Sequence, residues 1–238
     1  MNRWQASAIH FGISLTVFLI LLAIILLVWY PGILFRVDGG WTGLRIVLGV
    51  DLVLGPLLTL VVFKLGKPGL KFDLSCIVIA QIACMTWGMS IVYKERPVAL
   101  VLAYDTFYSL ASQDFEDFGK DPGILDKFPG AYPKLLYTEL PLNDIQADIV
   151  NLRSQFIGDP LYIQTDRYRV FPPGIDEIGA VFRREVAVRA NVDESMLNEL
   201  DKSCLLSKFI SALKAGYVCF DPEGKTLSEF YANEYFRE

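Results

Sequence analysis

Apolar and polar positions divide the chain into two regimes that meet near Tyr93. From Ile9 to Tyr30 no side chain is charged apart from a proton that His10 can take up. A run of that length covers the roughly 30 Å hydrocarbon layer as one helix of about 20 residues. It ends in Trp29-Tyr30-Pro31, an interfacial aromatic pair followed by a helix breaker. A cleaved signal peptide would show an apolar stretch of only about 7–15 residues and then small residues at a cleavage site, so the run reads as a retained anchor. A second apolar run, about residues 44 to 63, and a third, about 74 to 93 with Asp73 as its N-cap, complete three predicted spans.

After Tyr93 the pattern shortens. Residues 96 to 110, RPVALVLAYDTFYSL, are rich in β-branched and aromatic residues and predict a strand leaving the membrane directly, with a short helix in ASQDFEDFG after it. A Pro- and Gly-rich loop follows, with a strand at Lys134–Glu139. Apolar residues at 142, 145, 149, 152 and 156 have helical spacing, ended by Gly158. A short strand is expected within LYIQTDRYRVFPPG, and a long helix from an Asp193 cap to about Gly216. Apolar alternation on both sides of Asp221-Pro222-Glu223-Gly224 predicts a terminal β-hairpin. The fold class is thus a membrane protein, three N-terminal transmembrane α-helices (residues 1 to 95) followed by an α+β domain with an antiparallel sheet (96 to 238).

Charge follows the same boundary. Residues 1 to 93 carry six Lys/Arg and three Asp, the remaining 145 carry 16 basic and 24 acidic side chains, so the two parts are net +3 and −8 and sum to −5. With 53% hydrophobic residues and a mean hydropathy of +0.38, the chain is too apolar for an ordinary soluble domain. The acidity of the second part argues against nucleic acid as a partner. Lys64, Lys67 and Lys71 share one short loop, which the positive-inside rule places in the cytoplasm together with the N-terminus. After three spans the carboxyl-terminal domain then lies in the periplasm of a bacterial inner membrane.

The second span contains Asp51, roughly 10 Å below the outer surface, where an ionised side chain costs a few kcal/mol unless protonated or paired. It has to face protein. Two uses fit: a hydrogen bond within the bundle, with Ser14, Thr16, Gln81 and Thr86 as available partners, or a contact with a partner helix. Asp73 lies roughly 20 Å from it in depth, which excludes a two-carboxylate protease site. Gly55-Pro56 removes a backbone hydrogen bond and predicts a kink. Cys76 and Cys84 read as inert core thiols, while Cys204 and Cys219 are candidates for a disulfide in an oxidising compartment. The chain has one histidine, no metal-spaced Cys/His cluster, no phosphate-cradling glycine loop and no nucleophile elbow. The expectation is a non-enzymatic protein with no cofactor and no metal.

The stretches IHFGISLTVFLILLAIILLVWYPGILF, LGVDLVLGPLLTLVVFKLGKPGLKFDLS and VYKERPVALVLAYDTF, with the terminal VCFDPEGKTL hairpin, resemble the type IV pilin accessory proteins. These are inner-membrane proteins thought to assist assembly of a cognate pilin. The resemblance implies Asp51, Gly55 and Pro56, and the loop positions Lys67, Pro68, Gly69, Lys71 and Asp73, as signature residues. It implies a type IV pilin subunit as partner beside the lipid bilayer, contacted through the membrane helices, the soluble domain or both. The competing class is a membrane-anchored periplasmic ligand-binding or sensory domain. It would need an output module, for which about eight cytoplasmic N-terminal residues and one short loop leave little room.

Overall fold

The computed structural model describes residues 2–182, 184–192, 197–198, 200 and 204–232; the side chains of Thr42, Ile46, Val47, Val50 and Asp51 are outside that description. Two compact units form, Met1–Pro31 with Gly39–Glu95, and Gly32–Asp38 with Arg96–Glu238.

In the first unit, α1 (Arg3–Ile24) starts at a capping box. Asn2 Oδ1 accepts the Gln5 N–H and Gln5 Oε1 accepts the Asn2 N–H, satisfying two amides that the first turn leaves unpaired. The helix continues as a π-helical turn, Ile25–Trp29. Tyr30 Oη then donates to the Val92 carbonyl at 3.0 Å, and Trp29 meets Tyr93 edge-on at 5.2 Å, as expected of rings at a headgroup boundary. α3 (Gly40–Val47), a π-helical segment Leu48–Leu54 and α4 (Gly55–Val62) make one helical run. Pro56 has no N–H to give to the turn before it, and the widened turns sit directly upstream. α5 (Leu70–Lys94) closes the unit.

Among the described residues two helices, Arg3–Trp29 and Leu70–Lys94, are long and apolar enough to cross a membrane, and Leu52–Val62, the part of the middle run beyond Asp51, is a shorter apolar helix. Of the three expected spans, the first and the third are such helices, and the second is a helical run of changing pitch. Asp73 is not the N-cap of α5: Gly69, at φ +84°, holds that place. Asp73 sits one turn in, where its carboxylate still favours the positive helix start and pairs with Lys67 Nζ at 2.6 Å. Cys76 and Cys84 are exposed on α5 rather than in a core.

In the second unit α2 (Leu34–Val37) buries Leu34 and Val37. Asp38, also buried, accepts a hydrogen bond from Ser109 Oγ, and Ser211 Oγ donates to the Val37 carbonyl at 3.3 Å. The sheet has the order β4-β3-β1-β2-β5-β6-β7. β1 (Pro97–Ala103) and β2 (Thr106–Ala111) form a hairpin where one strand was expected, with Tyr104 turning the corner at φ +58°. α6 (Ser112–Asp117) follows, then β3 (Lys134–Thr138), α7 (Asp144–Leu152) with its π-helical extension Arg153–Ile157, and β4 (Tyr168–Val170). Beyond lie α8 (Ile175–Val181), α9 (Glu185–Ala190), β5 (Leu205–Ile210), β6 (Ala215–Asp221) and β7 (Thr226–Ala232).

The sheet is mixed, not antiparallel, because β1–β3 and β2–β5 are parallel. The β1–β2 hairpin occupies the centre, and strands that return after long connections add to both of its sides, where parallel pairing becomes reachable. The expected helix up to Gly216 is also corrected. Leu205–Ile210 pairs antiparallel with Ala215–Phe220, and Cys204 and Cys219 are joined as a disulfide; the Asp193 cap lies outside the described residues. The terminal hairpin pairs as β6 and β7. The rings of Phe107, Phe171, Phe182 and Phe220 are buried together with centroids 5.1–6.3 Å apart.

Candidate functional site

The first unit contains a groove. α4 packs against both α1 and α5, and the space left open between those two helices holds a cavity of about 510 Å³. Helical spacing builds its walls. Ala6, Ile9, His10, Ile13 and Val17 recur at three- and four-residue steps on α1, as do Leu74, Val78, Gln81 and Met85 on α5, so each set shares one face. From Ala6 to Val17 the groove is about 17 Å long at 1.5 Å per residue.

Its lining is apolar except for His10, Ser14, Thr59 and Gln81. His10 Nδ1 lies 2.6 Å from Thr59 Oγ1, and one turn earlier Ser7 Oγ donates to the Pro56 carbonyl at 2.8 Å. Thr59 is buried at 3% exposure, so in an apolar layer its hydroxyl needs this partner. A Cβ on Gly55 would meet Gln81 Nε2 at 2.0 Å and Cδ at 2.8 Å; one on Gly43 would meet Val92 Cγ2 at 2.4 Å. These two glycines let the middle run approach α5 closely, the usual role of small residues between membrane helices.

The sequence-predicted residues divide accordingly. Gly55 and Pro56 are buried between helices, one against Gln81 and the other through its carbonyl to Ser7. Asp51 lies within the π-helical segment, and its side chain is outside the description. Lys67, Pro68 and Gly69 lie in the connection from α4 to α5, and Lys71 and Asp73 in the first turn of α5, between Phe63 and Leu74, both of which line the groove. Sequence reading offered Ser14 and Gln81 as partners for Asp51 and gave His10 no contact. It missed Thr59 and the groove itself, whose signal is the matched helical spacing on the first and third runs rather than any motif.

In the second unit, Arg153 holds Asp159 at 2.5 Å and Asp166 at 3.1 Å. The hydrogen bond from its guanidinium keeps the Asp166 carboxyl below the ordinary range, and burial drives the Tyr168 hydroxyl above its own. The apolar stripe of α7 faces outward: Leu142, Ile145, Ile149, Leu152, Phe156 and Ile157 are all exposed, and of the helix only Val150 is buried. Among the described residues no three His, Cys, Asp or Glu side chains are grouped to hold a metal ion.

The chain is similar to proteins of Dichelobacter nodosus. It is 34% identical over 135 residues to a fimbrial assembly protein of serogroup I, covering 55% of this chain and 48% of that protein. It is 34% identical over 132 residues to a fimbrial assembly protein of serogroups C1 and C2, covering 53% and 92%, and equally identical over 135 residues to that of serogroup E1, covering 55% and 48%. The chain thus spans about half the length of the serogroup I and E1 relatives. No protein-family model and no solved structure matches it.

Proposed function

The chain belongs to the fimbrial assembly protein family, and we propose that it assists assembly of a type IV pilus by holding the apolar helix of a pilin subunit in the groove between α1 and α5. The groove carries this reading. It is apolar, about 17 Å long at the helical rise, open on one side and supplied with four polar side chains. A subunit waiting in the membrane before assembly exposes an apolar helix with little surface able to leave lipid unaided, and interhelical packing plus one or two hydrogen bonds holds such a helix reversibly.

The groove lies toward the end of the unit that carries Arg3, Lys64, Lys67 and Lys71, so the positive-inside rule assigns it to the cytoplasmic half of the inner membrane. The carboxyl-terminal unit then works on the periplasmic side against the subunit's head. Assistance of this kind is binding, not chemistry, and the protein acts as a non-enzymatic, chaperone-like helper. Asp51 is a second contact with the partner helix.

Photocrosslinking in native membranes tests the reading. A crosslinker at Ile13 or Val78, which line the groove, captures the pilin, and one at Trp87 or Leu27, exposed elsewhere on the same helices, does not. Equal capture from both sets, or lipid alone at Ile13, refutes it. If Asp51→Leu inserts normally and keeps wild-type capture and piliation, Asp51 is removed from the contact.

A further inference from the structure

β7 is the last strand of the sheet: it pairs with β6 on one side and with no other strand among the described residues. An edge strand of this kind offers backbone N–H and C=O groups to a further strand. Here the edge is interrupted once, where the pairing with β6 shifts register at Ser228, and carries one charge, Glu229. β7 is seven residues long, contains no proline or lysine, and has Phe230 and Tyr231 in its run. A cavity of about 780 Å³ extends beside it, lined by Leu227 to Ala232 on one side and by Gly32, Ile33, Arg36, Val37 and Lys214 on the other. The lined part of the strand is roughly 17 Å long at 3.3 Å per residue, the length of an extended segment of five or six residues.

Charge narrows the occupant. The part of the chain after Tyr93 is net −8, yet this cavity carries two cations, Arg36 and Lys214. Both are exposed, and neither is in an ion pair among the described residues. Lys214 Nζ lies 5.8 Å from the Phe230 ring centre. The one carboxylate in the lining, Glu229, already accepts from Tyr231 Oη. A second copy of the chain would bring another net −8 unit to the same edge, which like-charge repulsion opposes.

We propose that β7 accepts an extended, carboxylate-bearing segment of the pilus subunit's extracytoplasmic part as an eighth strand. Backbone hydrogen bonds to β7 provide affinity, and Arg36 and Lys214 select the acidic side chains. Naming the pilus subunit rests on the reading in Proposed function; the edge, the cavity and the cations do not.

The experiment places a photocrosslinker at Ser228, exposed on β7, in the full-length protein in native membranes, beside the Ile13 probe. The expected result is a crosslink from Ser228 to the pilin, mapped by mass spectrometry to a segment containing Asp or Glu. Arg36→Glu with Lys214→Glu lowers that yield at least tenfold and leaves the Ile13 yield within twofold, which also reports that the variant folds. Arg36→Lys with Lys214→Arg keeps the Ser228 yield within twofold. A Ser228 crosslink to a second copy, or to this chain's own residues 233–238, overturns the proposal. So does pilin capture at Ile13 without capture at Ser228, or capture that ignores the charge reversal. Absence of pilin at Ile13 with acidic-segment capture at Ser228 instead sinks the groove reading and leaves the edge site standing with another partner.

Discussion

Gly55→Ala is the sharpest probe of the groove. The added methyl carbon lies 2.0 Å from Gln81 Nε2 and 2.8 Å from its Cδ, far inside van der Waals contact, so either the Gln81 amide swings away or α4 and α5 separate. Overpacking of this size costs roughly 1–3 kcal/mol when the backbone has to yield, equivalent to about 5–150-fold in an equilibrium constant. Gln81 also lines the groove, so its displacement alters the surface offered to a partner helix. The second substitution is Gln81→Ala, which removes the obstructing amide. Thermal unfolding in detergent and pilin capture at Ile13 are measured for the wild type, both single variants and the double variant. Coupling is expected in pilin capture, where the displaced Gln81 amide changes the groove, with Gly55→Ala lowering capture alone and nearly neutral when Gln81 is already alanine. Additivity within about 0.3–0.5 kcal/mol would falsify the close approach of Gly55 to Gln81 and with it this account of the groove.

Three further outcomes are expected. Replacing Cys204 and Cys219 by serine opens a link of sequence separation 15 and lowers stability by about 3 kcal/mol, read as a drop in the melting temperature of the carboxyl-terminal unit that reductant reproduces in the wild type; an unchanged melting temperature refutes it. Gly216→Ala places a methyl 2.2 Å from the Tyr231 carbonyl oxygen and 2.8 Å from the Phe230 ring; it should release β7 from β6 and raise amide exchange across Thr226–Ala232 at least tenfold, whereas native protection would show that the strands need no such approach. The Arg153 hydrogen bond depresses the Asp166 pKa, so the fold gains from the ionised carboxylate. That gain is complete above the unfolded value of about 3.9 and is lost as pH falls through the lower folded value. The melting temperatures of wild type and Asp166→Asn should therefore differ at pH 6 and converge as the pH falls well below 3, and a constant gap would contradict the pairing.

What the sequence by itself determined was whatever depends on short-range pattern. The uncharged run from Ile9 to Tyr30 allowed nothing but an apolar helix, and Arg3–Trp29 is one. Alternation around Asp221–Gly224 required a hairpin, which forms as β6 and β7. The 142–156 spacing gave a helix ending at Gly158, at φ +69°. Gly55 and Pro56 were legible as a break in the middle run because proline lacks a donor wherever it sits.

What only the tertiary structure decided depends on which distant segments meet. Leu205–Ile210 has apolar residues that suit a helix or a strand, and pairing with β2 and β6 selected the strand. No local rule reveals that β3 and β5 run parallel to the central hairpin, since that follows from how long connections close. The apolar spacing over 142–156 gave the helix but not which residues it covers: the spaced residues are exposed and Val150 is the buried residue of α7. The groove is legible least of all. His10, Thr59 and Gln81 are separated by 49 and 22 positions, and their adjacency exists because Gly43 and Gly55 allow the helices to approach, a property of space and not of order along the chain.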